Sequence, residues 1–413
     1  MKQKLYHRER YLQKLRPFYH DDDIIKVMTG VRRCGKSCLM ATVAEELVAS
    51  GVPEKDIIFL DLDSKPYRSI TTPDQLEAAI NATVSDSDPK YLFIDEVQNV
   101  DGFESVVNAY RNDGGFSVFL TGSNSYLLSG ELATKLTGRY VEAEMFTLGF
   151  SEYLGMKEFL GFELLPDAQE FEQWLSFGGF PRALRITDPS AKDNYVRDVV
   201  NQVFEKDIRA KKKIRNRIAF ERSMAYAINN YGATTNLTNI TGYLDNVEHV
   251  TVKKQTLAGY LQLLANAKLL YRCPRFDLKS RRSLRGEEKY YLVDPAIYRA
   301  RNTDARINYG PALENALYTH LLSKGYSVSV GKIGTLECDF IVRKGDNYAY
   351  VQVTMTMADP EVERREYAPF GRIRDGWPRY LFTLDSLRNQ RDGVRHLNLM
   401  EFLKEDGDLI GAE

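Results

Sequence analysis

One eight-residue segment of the chain has the composition and spacing of a phosphate-binding loop. Residues 30–37 read Gly-Val-Arg-Arg-Cys-Gly-Lys-Ser. The glycines allow backbone N–H groups to surround phosphate oxygens, and a helix starting there adds the positive end of its dipole. Lys36 can reach the β- and γ-phosphates, and the Ser37 hydroxyl can ligate Mg²⁺. The segment predicts a site for ATP with Mg²⁺, formed by Gly30, Val31, Arg32, Arg33, Cys34, Gly35, Lys36, Ser37 and Cys38.

Two acids follow an apolar run further along the chain. Residues 91–94 read Tyr-Leu-Phe-Ile, and Asp95 and Glu96 come next. A buried strand ending there delivers both acids to the carboxyl edge of a sheet, where ligands of doubly wound folds bind. We expect Asp95 to hold Mg²⁺ through a water and Glu96 to act as general base on the attacking water. Without the phosphate loop, solvated acids at a strand end would be the simpler interpretation.

Three more polar residues are candidates for catalysis. Ser123 and Asn124 follow the apolar run at 117–121. Either can contact the γ-phosphate or orient the water, the residue types do not distinguish them, and a simple turn is the alternative. Arg139 can reach the γ-phosphate of a neighbouring subunit and stabilise charge in the transition state. A surface ion pair is an equally good interpretation of Arg139.

The elements that must position these residues alternate along the first third of the chain. Apolar runs predict strands at 24–29, 57–62, 91–94 and 117–121. Helical spacing of apolar residues predicts helices at 37–50, 74–84 and 103–112. Such alternation predicts an α/β fold with a parallel sheet covered by helices on both faces.

The rest of the chain changes character after about residue 150. Helices are predicted over 190–231 and 253–270, and two strands at 268–273 and 289–293 follow. Helix, helix, strand, strand is the order of a winged helix. A third set of helices and strands begins after Arg301. We therefore predict three domains, with bounds 1–152, 153–303 and 304–413.

These motifs together resemble the prokaryotic AAA+ ATPases that carry a C-terminal domain of unknown function, the DUF4143 type. Shorter segments also resemble that family: Gly-Gly-Phe-Pro at 178–181, Leu-Val-Asp-Pro at 292–295 and Leu-Glu-Asn at 313–315. The resemblance covers nearly the whole chain. It implies an AAA+ core, a middle winged-helix region and a restriction-endonuclease-like end.

A restriction-endonuclease-like domain uses a helix Glu, an Asp on one strand and a Glu/Gln-x-Lys on the next to bind metal and activate water. Glu314, Asp339 and Gln352 stand at those positions, but Thr354 replaces the lysine. Threonine supplies no charge, so the site looks degenerate and we expect no nuclease activity. A lysine from elsewhere, such as Lys332 or Lys344, is the alternative.

Basic residues cluster at two places in the middle region. The net charge of the chain is −1, so a nucleic-acid surface must be local. A winged helix with a basic wing commonly grips the phosphates of duplex DNA, whereas a solvated charged face is the alternative. The residues expected to contact DNA are Lys211, Lys212, Lys213, Arg281, Arg282 and Arg285.

Bulk properties exclude several other classes of protein. The four cysteines form no metal-ligand set, and reduced thiols are expected. No apolar run is long enough for a membrane span, and the basic N-terminus lacks the apolar segment of a signal peptide, so we expect a cytoplasmic protein.

The motifs and the basic clusters together predict an ATPase whose nucleotide state controls oligomerisation and grip on a macromolecule, with the clusters favouring DNA. An ATP-dependent nuclease of defence or mobile-element type is one alternative. A slow nucleotide-dependent regulatory scaffold is the other. A small-molecule kinase is disfavoured, because nothing after the sheet resembles a lid over an acceptor pocket.

Overall fold

The chain folds into two compact units, each built on its own sheet. The first comprises Met1–Met145 with Asn266–Lys268, and the second comprises Phe146–Ala265 with Leu269–Glu413. The computed structural model describes residues 4–84, 90–122, 136, 138–209, 214–280, 282–302, 304, 306–386 and 390–410.

The first unit is a parallel five-stranded sheet in the order β2-β3-β4-β1-β5. Its strands are β1 (Ile25–Gly30), β2 (Ile57–Asp61), β3 (Lys90–Asp95), β4 (Phe116–Thr121) and β5 (Tyr140–Met145). Its helices are α1 (Glu9–Leu15), α2 (Lys36–Ala49), α3 (Pro73–Asn81) and α4 (Phe103–Asp113). The predicted α/β fold is confirmed, and β4 lies between β1 and β3 as the topology requires.

Burial explains why the apolar runs of the sequence became strands. Every residue of β1 and β4 is buried. Leu76 of α3 and Phe103 of α4 belong to the same buried cluster as Val27 and Ile94 of the sheet, while α2 contacts β1, β3 and β4. The strand β5 was not predicted, because its residues at 140–145 alternate between apolar and polar, as suits an edge strand.

The second unit contains a mixed eight-stranded sheet in the order β13-β12-β11-β10-β9-β7-β8-β6. Its strands are β6 (Thr234–Thr235), β7 (Leu270–Asp277), β8 (Arg282–Leu292), β9 (Ser327–Ile333), β10 (Leu336–Lys344), β11 (Asn347–Val353), β12 (Arg379–Thr383) and β13 (Val394–Asn398). The helices after β5 are α5 (Phe150–Phe159), α6 (Asp167–Phe177), α7 (Pro189–Gln202), α8 (Arg217–Asn229), α9 (Leu237–Asn246), α10 (Lys254–Asn266), α11 (Ala296–Arg301), α12 (Tyr309–Ser323), α13 (Pro360–Tyr367) and α14 (Leu399–Lys404).

Two features of this unit differ from the sequence prediction. The helical region predicted over 190–231 is divided, because α7 passes into a π-helical turn at Val203–Arg209 and α8 begins at Arg217. The Asn216 side chain marks that start by accepting the N–H of Ala219 at 3.0 Å. In addition, β7 pairs in parallel with β9, so one sheet continues across the predicted boundary at 303/304. The three domain bounds stay a prediction.

The described helices are also too short or too polar to cross a membrane. No helix in the described parts of the chain combines the length and apolar character that a bilayer span requires.

Candidate functional site

The phosphate loop leaves β1 at Gly30 and enters α2 at Lys36. Gly30 and Gly35 have φ angles of 139° and 110°, which favour glycine. A Cβ on Gly30 would lie 2.3 Å from the carbonyl oxygen of Met145. Glycine is therefore required at position 30 by the neighbouring strand as well as by the backbone angle.

Lys36 holds the inside of this loop. Its side chain is buried, and its Nζ donates to the carbonyl oxygens of Gly30 at 3.0 Å and Val31 at 3.4 Å. The ammonium therefore sits across the mouth of the loop, where phosphate oxygens can replace the two carbonyl contacts.

Arg8 supports the same loop from the N-terminal segment, and no sequence motif marks it. Its guanidinium is buried, stacks over Tyr11 with 4.7 Å to the ring centroid, and donates through Nη1 to the carbonyl oxygen of Cys34 at 3.2 Å. The signal available in the sequence was only a basic N-terminus. Cys34 is itself fully buried, and burial raises the pKa of its thiol.

Asp95 ends β3 and Thr121 ends β4, so the pairing of these strands brings the two side chains together. The Thr121 hydroxyl donates to the Asp95 carboxylate and accepts the backbone N–H of Glu96 at 3.0 Å. Burial raises the pKa of Asp95, whereas hydrogen bonds from Thr121 and Ser37 lower it. Thr121 thus joins the two predicted acids, a role that its place at the strand end did not reveal.

Glu96 adopts a strained backbone conformation. Its φ of 55° lies in the left-handed region, which is uncommon for a residue with a side chain. Gln98 donates from Nε2 to the Glu96 carboxylate. The turn and this hydrogen bond together orient the carboxylate at the end of the strand.

The residues present suit Mg²⁺ coordination through a mixed ligand set. The Ser37 hydroxyl donates a hydrogen bond to the Asp95 carboxylate, and these two residues would hold the ion together with phosphate and water oxygens. Within the described ranges, no group of three or more His, Cys, Asp and Glu side chains is arranged as a metal site. Ser123 and Asn124 lie outside the described residues.

Arg139 lies at the edge of the sheet opposite the phosphate loop. Its carbonyl oxygen accepts the N–H of Ile25, the first residue of β1, at 3.1 Å. The six residues of β1 put the loop roughly 17 Å away along the strand. The exposed Arg139 guanidinium pairs with Asp23 at 2.8 Å. This geometry excludes contact with a phosphate on its own loop.

The three residues of the predicted degenerate nuclease site come together in the second unit. The Asp339 N–H donates to Gln352 Oε1 at 2.6 Å, and Asp339 Oδ2 accepts the N–H of Val353 at 2.8 Å. Burial raises the pKa of Asp339 well above its ordinary value, and the negative charge of nearby Glu314 raises it further. Gln352 Nε2 donates to Glu366 at 2.8 Å, a residue that no sequence pattern singled out.

A lysine does form ion pairs with acids of this cluster, but it is Lys289 of β8. Its buried Nζ lies 3.1 Å from Glu314 Oε2 and 3.0 Å from Glu337 Oε1. Burial alone lowers the pKa of Lys289, but the carboxylates of Glu314, Asp339 and Glu337 raise it above its ordinary value. Lys344, expected as an alternative, instead pairs with Asp408 at 3.0 Å. The acids are therefore compensated by protein groups.

The basic cluster predicted on the β7–β8 hairpin carries less free charge than its composition suggests. Arg272 pairs with Glu288, and Arg275 lies within 3.1 Å of Glu287 and 2.9 Å of Glu337. Arg282 is exposed. Lys211, Lys212, Lys213 and Arg281 lie outside the described residues, as does the side chain of Arg285.

Comparison with protein families matches a part of each unit. The family described as an AAA domain (AAA_14) matches residues 22–154. The family described as a domain of unknown function (DUF8612) matches residues 168–306. The DUF4143 assignment implied by the resemblance is therefore not confirmed, whereas the AAA domain is.

Comparison with individual proteins extends these matches. An uncharacterized protein of Methanocaldococcus jannaschii is 28% identical over 364 residues, which are 85% of this chain and 79% of that protein. The solved structure of a Walker-type ATPase of Pyrococcus abyssi matches with a TM-score of 0.51 and 16% identity, covering 72% of this chain and 96% of that one, and shows the fold. An uncharacterized protein of Haemophilus influenzae is 32% identical over 398 residues, covering 96% of this chain and 98% of that protein. The chain belongs to the family of this Haemophilus influenzae protein and carries the AAA domain of P-loop ATPases.

Proposed function

We propose that this protein hydrolyses ATP with Mg²⁺ and that its nucleotide state controls oligomerisation and binding of a macromolecule, namely duplex DNA. The observation that carries the first part is the hydrogen-bonded series Ser37, Asp95, Thr121 and Glu96 at the carboxyl edge of the sheet. The series joins the phosphate loop to both predicted acids.

Lys36, Ser37, Asp95 and Glu96 each have a role in hydrolysis, and Thr121 positions the two acids. Lys36 exchanges its carbonyl contacts for the β- and γ-phosphates. Ser37 would hold Mg²⁺ directly and Asp95 would hold it through a water, and the ion would supply positive charge beside the phosphates. Glu96 polarises the attacking water, with Ser123 or Asn124 as the further contact to the γ-phosphate or that water.

Arg139 is proposed to act on the nucleotide of a neighbouring subunit. Its position at the opposite edge of the sheet rules out its own site, so catalysis through Arg139 needs an oligomer. In the isolated chain the guanidinium is held by Asp23, and both side chains are exposed. Docking of a second subunit would therefore exchange a weak surface ion pair for a phosphate contact.

The proposal that the protein binds duplex DNA rests on the middle region of the chain. The order α8, β6, α9, α10, β7, β8, with β6 antiparallel to β8, supports the predicted winged helix. Lys279 and Arg282 stand at the tip of its hairpin. Because Arg272 and Arg275 are paired with carboxylates, we assign the phosphate contacts to this tip and to the basic segment at 211–213.

The test is the rate of phosphate release with and without duplex DNA across a range of salt concentrations. We expect stimulation by DNA that falls steeply as salt rises, since phosphate contacts release counterions. Lys36→Ala and Glu96→Gln should each abolish turnover, and Glu45→Gln in α2 serves as a charge-matched control. If ATP turnover does not respond to any nucleic acid, the bound macromolecule would be a protein and not DNA.

The same assay separates the alternatives. Phosphate release unchanged by Glu96→Gln would favour a regulatory scaffold. DNA cleavage abolished by Asp339→Asn would favour a nuclease, although the Lys289 ammonium is already paired with Glu314 and Glu337.

A further inference from the structure

A large cavity opens on the sheet of the second unit, and Lys279 at the tip of the β7–β8 hairpin is one of its lining residues. Its volume is about 1090 Å³, slightly above the usual range for ligand sites. Strands β7, β9, β10 and β11 supply an apolar floor that includes Phe276, Ile333, Ile341 and Tyr350. The segment 372–377 forms a wall.

Hydrogen bonds hold this wall in place. The Tyr350 hydroxyl donates to Asp375 Oδ2 at 2.5 Å, and Asp375 Oδ1 accepts the N–H of Trp377 at 3.2 Å. Arg379 Nη2 donates to the carbonyl oxygens of Ile373 at 3.3 Å and Asp375 at 3.0 Å. The cavity is thus bounded by a fixed turn.

Two aromatic rings stand exposed at the cavity. Tyr348 and Trp377 have ring centroids 5.5 Å apart at an interplanar angle of 54°, and 36% and 37% of their surfaces are exposed. Neighbouring exposed rings of this size offer flat apolar faces on which a planar ligand can stack.

The charged groups at the cavity are predominantly positive. Lys279, Arg372 and Arg374 line it. The guanidinium groups of the two arginines are exposed and form no hydrogen bond or ion pair with the described residues. Asp375, the one carboxylate among the described lining residues, is engaged by Tyr350 and Trp377.

We propose that this cavity binds a nucleotide, with its base stacked on the Trp377 ring beside Tyr348 and its phosphate held by Arg372 and Arg374. A free phosphate would gain nothing from the apolar floor, and an apolar ligand would leave the arginines uncompensated. A nucleotide satisfies both. It comes either from a free nucleoside phosphate or from an unpaired nucleotide in single-stranded DNA, and its binding is independent of ATP hydrolysis.

The two tryptophans of the chain make a direct test available. Trp174 is buried and Trp377 is exposed, so a Trp174→Phe variant leaves Trp377 as the only tryptophan reporter. The ligands for the titration are dTMP and an oligo(dT) of roughly ten nucleotides, which is within the usual range of single-strand sites. The protein also carries Lys36→Ala, so that the phosphate loop does not bind these ligands. Quenching by oligo(dT) alone assigns a single strand, and equal quenching per site by dTMP assigns a free nucleotide.

Variants then test the named contacts with labelled oligo(dT) or dTMP in an anisotropy or calorimetric assay. Trp377→Ala should weaken binding by roughly tenfold or more, as removal of a stacking ring does. Arg372→Gln with Arg374→Gln should lower the slope of log affinity against log salt by about 0.7 for each phosphate that the variant no longer binds. Arg306→Gln, which alters an exposed arginine paired with Asp304, is the matched control and should bind as before. Absence of quenching by both ligands, or unchanged binding in the double arginine variant, overturns the proposal.

Discussion

The carboxylate of Asp294 accepts the backbone N–H of Gly179 at 2.8 Å, although 115 residues separate them in the chain. Its other oxygen accepts the N–H of Ala296 at 2.9 Å. Two short segments that stood apart in the sequence, at 178–181 and 292–295, are therefore halves of one contact. The contact fixes the turn after α6 against the end of β8.

Gly178→Ala should destabilise the second unit severely. An added Cβ would lie 1.8 Å from Asp294 Oδ1, and the φ of 70° already disfavours a side chain. We expect a loss of about 3 kcal/mol or more in the free energy of unfolding, measured with urea. Gly259→Ala in α10 is the control, because a Cβ there meets nothing within 4 Å. Equal stability of the two variants would contradict the assigned contact.

The stability of the protein should depend on pH through Asp294. Burial raises the pKa of Asp294 from 3.8 to about 6, against hydrogen bonds from Thr147, Gly179 and Ala296. Between these values the folded state holds a proton that the unfolded state has released. Stability should therefore fall as pH rises from about 4 to 6, by up to about 3 kcal/mol. Denaturation curves of the natural sequence and of Asp294→Asn, measured at several pH values, should show this decrease in stability only for the natural sequence.

Thr121→Val should impair metal-dependent turnover while leaving the fold intact. The substitution keeps the volume but removes the hydroxyl that joins Asp95 to the N–H of Glu96. We expect the Mg²⁺ concentration for half-maximal ATPase rate to rise by roughly 10- to 100-fold, as when a partner of a metal ligand is removed. Thr121→Ser retains the hydroxyl and should stay near the original value. A requirement for Mg²⁺ that is the same in both variants would remove Thr121 from the site.

Lys289→Met should destabilise the second unit because it leaves Glu314 without its buried cation, whereas Glu337 keeps its pair with Arg275. Breaking such a buried pair costs about 3–5 kcal/mol. Adding Glu314→Gln to Lys289→Met should recover part of this stability, since one unpaired charge is then removed. Thermal or urea unfolding of both variants measures the difference, and a double variant less stable than the single one would speak against this pairing.

Arg139→Ala and Lys36→Ala should complement each other if Arg139 acts between subunits. Each variant alone is expected to lose at least about 10³-fold of its ATPase rate. When the two proteins are mixed, a subunit with an intact loop can receive Arg139 from a Lys36→Ala neighbour. Partial recovery of the rate in the mixture, rising with total concentration, is the expected result. If the mixtures form oligomers but stay inactive, Arg139 has no catalytic role between subunits, and its contact is the surface ion pair with Asp23.

How far the sequence predicts this protein depends on the range of the interactions involved. The phosphate loop follows from local requirements, because glycines, the lysine and the helix start lie within eight residues. The two acids after β3 could also be predicted, because they directly follow the apolar run that forms the strand. The series that joins them could not be predicted, because Thr121 meets Asp95 only when β3 and β4 pair.

The second unit shows this difference between local and long-range interactions more clearly. The positions of Glu314, Asp339 and Gln352 were recognisable as a pattern, and so was the absence of a lysine at Thr354. The buried cation comes instead from Lys289, 25 residues before Glu314 on a different element. Asn315 likewise bonds both backbone groups of Leu292, at 2.7 and 3.0 Å, a contact that no spacing rule contains. Local sequence determines which residues end strands and begin helices, whereas the pairing of distant strands alone decides which buried charges and amides meet.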